Sequence, residues 1–291
     1  MDLTVLVDNN TFIDQYYLGE PAVSYLLETD GKKILFDVGY SDVFLKNMEA
    51  MGYQLDEMDA IILSHGHNDH TGGLSYLIQE KKHLQSKEHI RKKEESIQEK
   101  KGNQYKKPLL IAHPGVFEEK QADGISISAE VSPEQLSEIC EVKLTKSVYQ
   151  ITENLYFLGQ IPRKNSYEAK SSVGIKKTIN GWEPDFVEED TALVFTGEEG
   201  IYIITGCSHA GICNIVEYAK EVTGQTVIKG IIGGFHLFDV NESVHKTIAY
   251  MKRHHIPHLY PCHCTSLRVK AEFLKEMEIN ESGSGLKLHW E

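Results

Sequence analysis

Three histidines and an aspartate fall within six positions in the run His65-Gly-His67-Asn-Asp69-His70, just after the apolar stretch Ala60-Ile-Ile-Leu63 and just before Gly72-Gly73. Neutral imidazoles with a carboxylate form a donor set suited to zinc, iron or manganese rather than to calcium or magnesium. His65 and His67 are two apart, so at the end of an extended strand they point to the same side and can share one ion. Asp69 and His70 are displaced along the turn and can face a second ion. Glycines at 66, 72 and 73 let the backbone bend tightly without steric cost. Two divalent ions held this way, zinc first with manganese or iron as alternatives, would bring the pKa of a bound water down to about 7. The chemistry expected is attack by a metal-bound hydroxide on an ester, lactone or phosphoester, with Asp69 indispensable to it.

Further candidates recur at the ends of later apolar runs. Cys207 and His209 follow Ile201-Tyr-Ile-Ile, His236 follows Ile228–Ile232 and a Gly-Gly pair, and His263 follows His258-Leu-Tyr. Strand ends converging on one rim would gather these residues around the first loop. His209 is read as a metal ligand, and Cys207 as a thiolate ligand instead of it or beside it. His236 is read as a catalytic residue on the substrate side, hydrogen-bonding or shuttling a proton. Cys262 and Cys264 flank His263 on an extended segment, which predicts that both point away from it and serve packing.

The elements that would position these residues are legible as alternating strands and helices. Ser24–Thr29 and Lys32-Lys-Ile-Leu-Phe-Asp-Val flank Asp30-Gly31, a pair suited to positive φ in a tight hairpin. A second hairpin joins residues 191–196 and 201–205. Helices are expected over 41–51, from Ser132-Pro133, and over 211–222, 242–254 and 266–277. Hairpins and helices in both halves predict an α/β fold, most simply a four-layer αββα sandwich, in a single domain over 1–291. Residues 79–107 depart from this: they hold ten Lys/Arg against five Glu with apolar residues about every seventh position, which reads as a charged helical insertion.

Composition narrows the partners. An apolar fraction of 41% suits a globular chain, and a formal charge of -13 leaves no broad basic field for nucleic acid. A small molecule, anionic in one reading, is the expected partner, with self-association into a homo-oligomer left open. No window reaches eighteen unbroken apolar residues, so no membrane span is expected. An odd set of five cysteines, four of them beside histidines, suggests reduced thiols and a cytoplasmic location.

The H-x-H-x-D-H run after a strand resembles the metallo-β-lactamase superfamily, whose members include lactamases, glyoxalase II, lactonases, phosphodiesterases and ribonucleases. The resemblance implies that Asp37 supports the metal loop from behind and that His263 ligates the same ion as Asp69 and His70. Gly159-Gln-Ile-Pro-Arg163, Thr205-Gly-Cys207-Ser-His209-Ala-Gly, Gly233-Gly-Phe-His236 and Pro261-Cys-His263-Cys264 look like a narrower group, of metal-dependent hydrolases and dihydropterin-ribofuranosylaminobenzene-phosphate synthase-like proteins. Within it Arg163 and Glu168 match polar positions, implying contact with substrate. Two departures stand out. A histidine usual just before Thr191 is replaced by Val187-Glu-Glu-Asp190, and a bridging aspartate by Gly206-Cys207. The resemblance implies a hydrolase; the alternative is a synthase-like transferase that uses the same metals to hold phosphates.

Overall fold

The computed structural model describes residues 1–94 and 107–291, with the helical backbone alone over 88–94. A seven-stranded sheet runs in the order Lys287–His289, Asp2–Val7, Ser24–Thr29, Lys32–Phe36, Ala60–Ile62, Leu109–Ala112, Glu141–Leu144. A six-stranded sheet runs His258–Cys262, Ile228–Gly234, Ile201–Thr205, Ala192–Thr196, Leu155–Phe157, Tyr149–Gln150.

Strand alternation builds the layers. In Ile201–Thr205, Ile201 and Ile203 face one apolar cluster while Tyr202 and Ile204 face another. The first of these clusters lies under the helices Ile212–Thr223, Glu242–Arg253 and Leu267–Glu276. The second lies between the sheets, where Tyr25, Ile34 and Phe36 meet Phe157, Leu193 and Ile232. On the far side of the first sheet, Leu26, Leu35 and Ile61 pack against Phe44 and Met48 of the helix Val43–Ala50 and Leu74 and Leu77 of the helix Leu74–Glu94. Helices therefore cover both outer faces of two packed sheets, the expected four layers. Each large apolar side chain removed from water in these clusters contributes about 1.5–3 kcal/mol.

The Asp30-Gly31 turn takes the expected positive φ, 50° and 69°, and Ser132 caps Pro133–Ser137 through a full capping box with Gln135. The charged segment begins as a continuation of Leu74–Glu94; residues 95–106 of the expected insertion lie outside the described residues. An element the sequence did not suggest is a four-stranded sheet, Gly181–Pro184, Ile175–Thr178, Lys120–Ala122, Ile125–Ser126. Its strands are short and largely exposed, so they carry no buried alternation to read. No helix among the described residues is long and apolar enough to cross a membrane.

Parallel pairing joins Lys32–Phe36 to Ala60–Ile62 in one sheet, and Ile201–Thr205 to Ile228–Gly234 to His258–Cys262 in the other. Those five strands end at one edge, one or two residues before Asp37, Ser64, Cys207, His236 and His263. The fold thus delivers residues from five sequence regions to a single rim.

Candidate metal centre

His65, His67 and His209 form one half of the centre. Their ring centroids lie 4.7 to 4.9 Å apart, and the Nε2 atom of each is buried without a hydrogen-bond partner. Buried imidazole nitrogens are ordinarily satisfied, so three converging orphans fit a shared cation. The local bonding orients them. Ser64 Oγ donates to Asp37 Oδ2 at 2.6 Å, which leaves it to accept the Nδ1 proton of His65 at 2.9 Å. His65 therefore turns a bare Nε2 toward the cluster.

Asp69, His70 and His263 form the other half, with Cys207 between the two. The ligand atoms of Asp69, His70, Cys207 and His263 lie within 4.8 Å of one another, as do those of His65, Cys207 and His209. Cys207 Sγ is 3.1 Å from His70 Nε2, which is 3.2 Å from His263 Nε2. Two imidazole nitrogens at that separation need a proton or a cation between them. His70 Nδ1 donates to Asp37 Oδ2 at 2.7 Å, and His263 Nδ1 meets Asn9 Oδ1 at 2.9 Å, so both Nε2 atoms face the cluster. The donor set and its backing partners fit two divalent ions.

Backbone strain concentrates here. Asp37, Ser208, His236 and His263 have φ of 57°, 59°, 48° and 45°, a region that costs a residue with a Cβ about 1 kcal/mol or more. The left-handed kink at His263 also overturns one expectation. Cys262 does pack between the sheets, but alternation breaks at His263, and Cys264 Sγ turns toward the centre, 3.5 Å from the Cys207 carbonyl and accepting the His236 amide at 3.3 Å.

The two halves differ in charge. Burial pushes His67 down to about 3 and holds His65 and His209 well below the ordinary imidazole value, so this trio is neutral at pH 7. Burial acts against the charge on His70 too, but the Asp69 and Asp37 carboxylates outweigh it and raise the ring to about 9. Asp69 is held below the usual carboxylate range: burial raises it, and His70 and His263 more than offset this. Metal uptake in the second half must therefore displace a proton from His70. Calorimetry in two buffers of different ionisation enthalpy should show proton release at pH 7, with affinity rising as pH increases toward about 9. Buffer-independent heats would contradict the assignment.

The remaining expected residues are placed as follows. The His236 ring lies 4.1 Å from that of His209, burial pushes it down to about 4, and it borders a cavity of about 340 Å³ with Lys170, Phe186 and Phe238 on its walls. Glu168 borders the same cavity, yet its carboxylate accepts the amides of Cys213 at 2.9 Å and Asn214 at 3.0 Å, satisfying the first turn of Ile212–Thr223. Arg163 donates from a single nitrogen, Nη2, to the Phe186 and Val187 carbonyls at 2.5 and 2.9 Å. Both side chains brace segments that wall the site. Glu168→Ala should cost about 1–3 kcal/mol of folding stability with kcat/KM nearly unchanged; a tenfold fall in kcat/KM at full folding would return it to the substrate.

Sequence reading passed over Ser64, Asn9 and Asp190. Asp190 stands where a histidine was sought; it is fully buried, and its Oδ2 accepts the Ala210 amide at 2.8 Å, tying down the segment that carries His209. Burial pushes its carboxyl up to about 8. Ser64 adjoins His65 and Asp190 occupies the position of the missing histidine, which is the signal available for those two; Asn9 is far in the chain from every candidate ligand.

The metallo-β-lactamase superfamily family model matches residues 18–222. The chain belongs to the metallo-β-lactamase superfamily. It is 30% identical over 91% of its length to an uncharacterized protein of Methanocaldococcus jannaschii, MJ0448, also covered to 91%. It is 28% identical over 90% of its length to the 7,8-dihydropterin-6-methyl-4-(β-D-ribofuranosyl)-aminobenzene-5'-phosphate synthase of the same organism, covering 86% of that protein. Among solved structures, Tm1679, described as a metal-dependent hydrolase of the β-lactamase superfamily, superposes with a TM-score of 0.79 at 26% identity, over 99% of this chain and 98% of that one. The superfamily membership accords with the layered sheets and with the rim on which the histidines gather.

Proposed function

We propose that the chain is a hydrolase of small-molecule esters, lactones or phosphoesters that works with two divalent ions, zinc first, held by His65, His67 and His209 on one side and by Asp69, His70 and His263 on the other. Cys207 lies between the two sets as a ligand to one or both. The observation that carries the reading is the convergence of three unpartnered, buried Nε2 atoms beside the Asp69/His70/His263 cluster. Bound there, divalent ions polarise a carbonyl or phosphoryl oxygen and make water a nucleophile at neutral pH.

The chain's own residues prepare that chemistry. Asp37 and Ser64 fix the tautomers of His65 and His70, and Asn9 fixes that of His263, so each ring presents an aligned Nε2. His236, neutral at pH 7 and on the cavity wall, can accept a hydrogen bond from substrate or pass on a proton. The cavity bordered by His209 and His236 gives a substrate access to the edge of the centre.

A second reading is favoured by the synthase among the relatives: transfer of a dihydropterin methyl carbon to an arylamine with loss of pyrophosphate. Zinc- or manganese-loaded protein incubated with bis(p-nitrophenyl) phosphate and a homoserine lactone tests the first reading by product release. Pyrophosphate appearing from a dihydropterin diphosphate only when an arylamine is present would favour the second and overturn the first.

A further inference from the structure

A lysine buried behind the metal loop has no part in the site as described. The Lys120 side chain is wholly buried; its Nζ donates to the Gly115 carbonyl at 2.9 Å and lies 3.1 Å from Glu189 Oε1 and 3.9 Å from Asp185 Oδ2. Burying one ammonium with two carboxylates is costly and is weak evidence for stability in itself. Its position suggests another role. A Cβ added to Gly66, the residue between His65 and His67, would stand 3.0 Å from Lys120 Cε and 2.4 Å from the Val116 carbonyl. The loop therefore rests directly on the lysine stem and on the turn that the ammonium pins through Gly115. The same hairpin holds the loop from its other side, because Ile127 accepts the Asn68 amide at 2.9 Å and donates its own amide to the Lys120 carbonyl at 3.1 Å.

We infer that Lys120, clamped between Glu189 and Asp185, is a positioning residue that sets the height of Gly66 and thereby aims His65 and His67 at a common ion. The inference rests on the metal-centre reading above. Asp185 also adjoins the cavity wall, since its main-chain carbonyl accepts the Val173 amide at 2.7 Å and it directly precedes Phe186.

Lys120→Met alone leaves two buried carboxylates uncompensated and would threaten folding, so the informative variant is the uncharged set K120M/D185N/E189Q. Asn at 185 keeps an acceptor for the Val187 amide, which Asp185 Oδ1 now binds at 2.8 Å. Cobalt(II) alone is the probe, followed by chelator competition and by its visible absorption. The folded triple variant should bind one of its two cobalt ions about 10–100-fold more weakly than the wild-type chain, with altered absorption. Combined with His67→Ala, the triple set should cost clearly less than the sum of the two separate losses, as expected when both changes act on one group. Two cobalt ions bound with wild-type affinity and spectrum, or an additive loss with His67→Ala, would overturn the inference while leaving the metal centre intact. A wild-type chain that takes up no cobalt would overturn both.

Discussion

Asp69→Ala is expected to lower kcat/KM by roughly a thousandfold or more, the scale on which loss of a ligand from a hydrolytic metal pair acts. The carboxylate is 3.3 Å from His263 Nε2 and 3.7 Å from His70 Nε2. It also groups with His65 and His67, so it stands at the seam between the two halves as their one carboxylate. Its side chain is partly exposed and belongs to none of the apolar clusters, so the variant should fold. Circular dichroism and thermal unfolding alongside single-turnover kinetics separate the two effects. Full metal loading with retained turnover would count against the assignment.

Asp37→Ala should act on stability and metal affinity together. This wholly buried carboxylate accepts from the Ser64 amide at 2.7 Å, from Ser64 Oγ at 2.6 Å and from His70 Nδ1 at 2.7 Å. Removing it strands three donors and an imidazolium in the interior, a loss of about 3–5 kcal/mol for a broken buried pair. It also frees the rings of His65 and His70 to rotate, a change that weakens metal binding about 10–100-fold. Asp37→Asn separates charge from shape, since Asn tolerates the positive φ of 57° better than Ala does. Urea unfolding of the chelated protein and zinc competition with a chelator report the two effects independently. Unchanged zinc affinity in both variants would show that Asp37 supports the fold alone.

The four layers were legible because their strands are buried on both faces or alternate cleanly, as Ile201-Tyr-Ile-Ile does between two cores. The helices announced themselves through caps such as Ser132, followed by Pro133 at the first helical position. The first metal loop was legible because four donors in six residues have few other uses. What sequence could not supply is direction. Arg163 looks like a group for an anion and Glu168 like a polar contact for substrate, yet two main-chain carbonyls accept from Arg163 and the Glu168 carboxylate accepts from the start of a helix. Cys264 was misplaced because a left-handed His263 breaks the alternation assumed for an extended segment. Lys120 gave no signal, since a buried charge is defined by partners far away in the chain.

The central claim is that two adjoining donor clusters hold two divalent ions. Elemental analysis of metal per chain, on untagged protein purified without chelator, tests it most directly. The account predicts close to two ions per chain, reduced toward one by His209→Ala; one ion or none in the wild-type protein would contradict it.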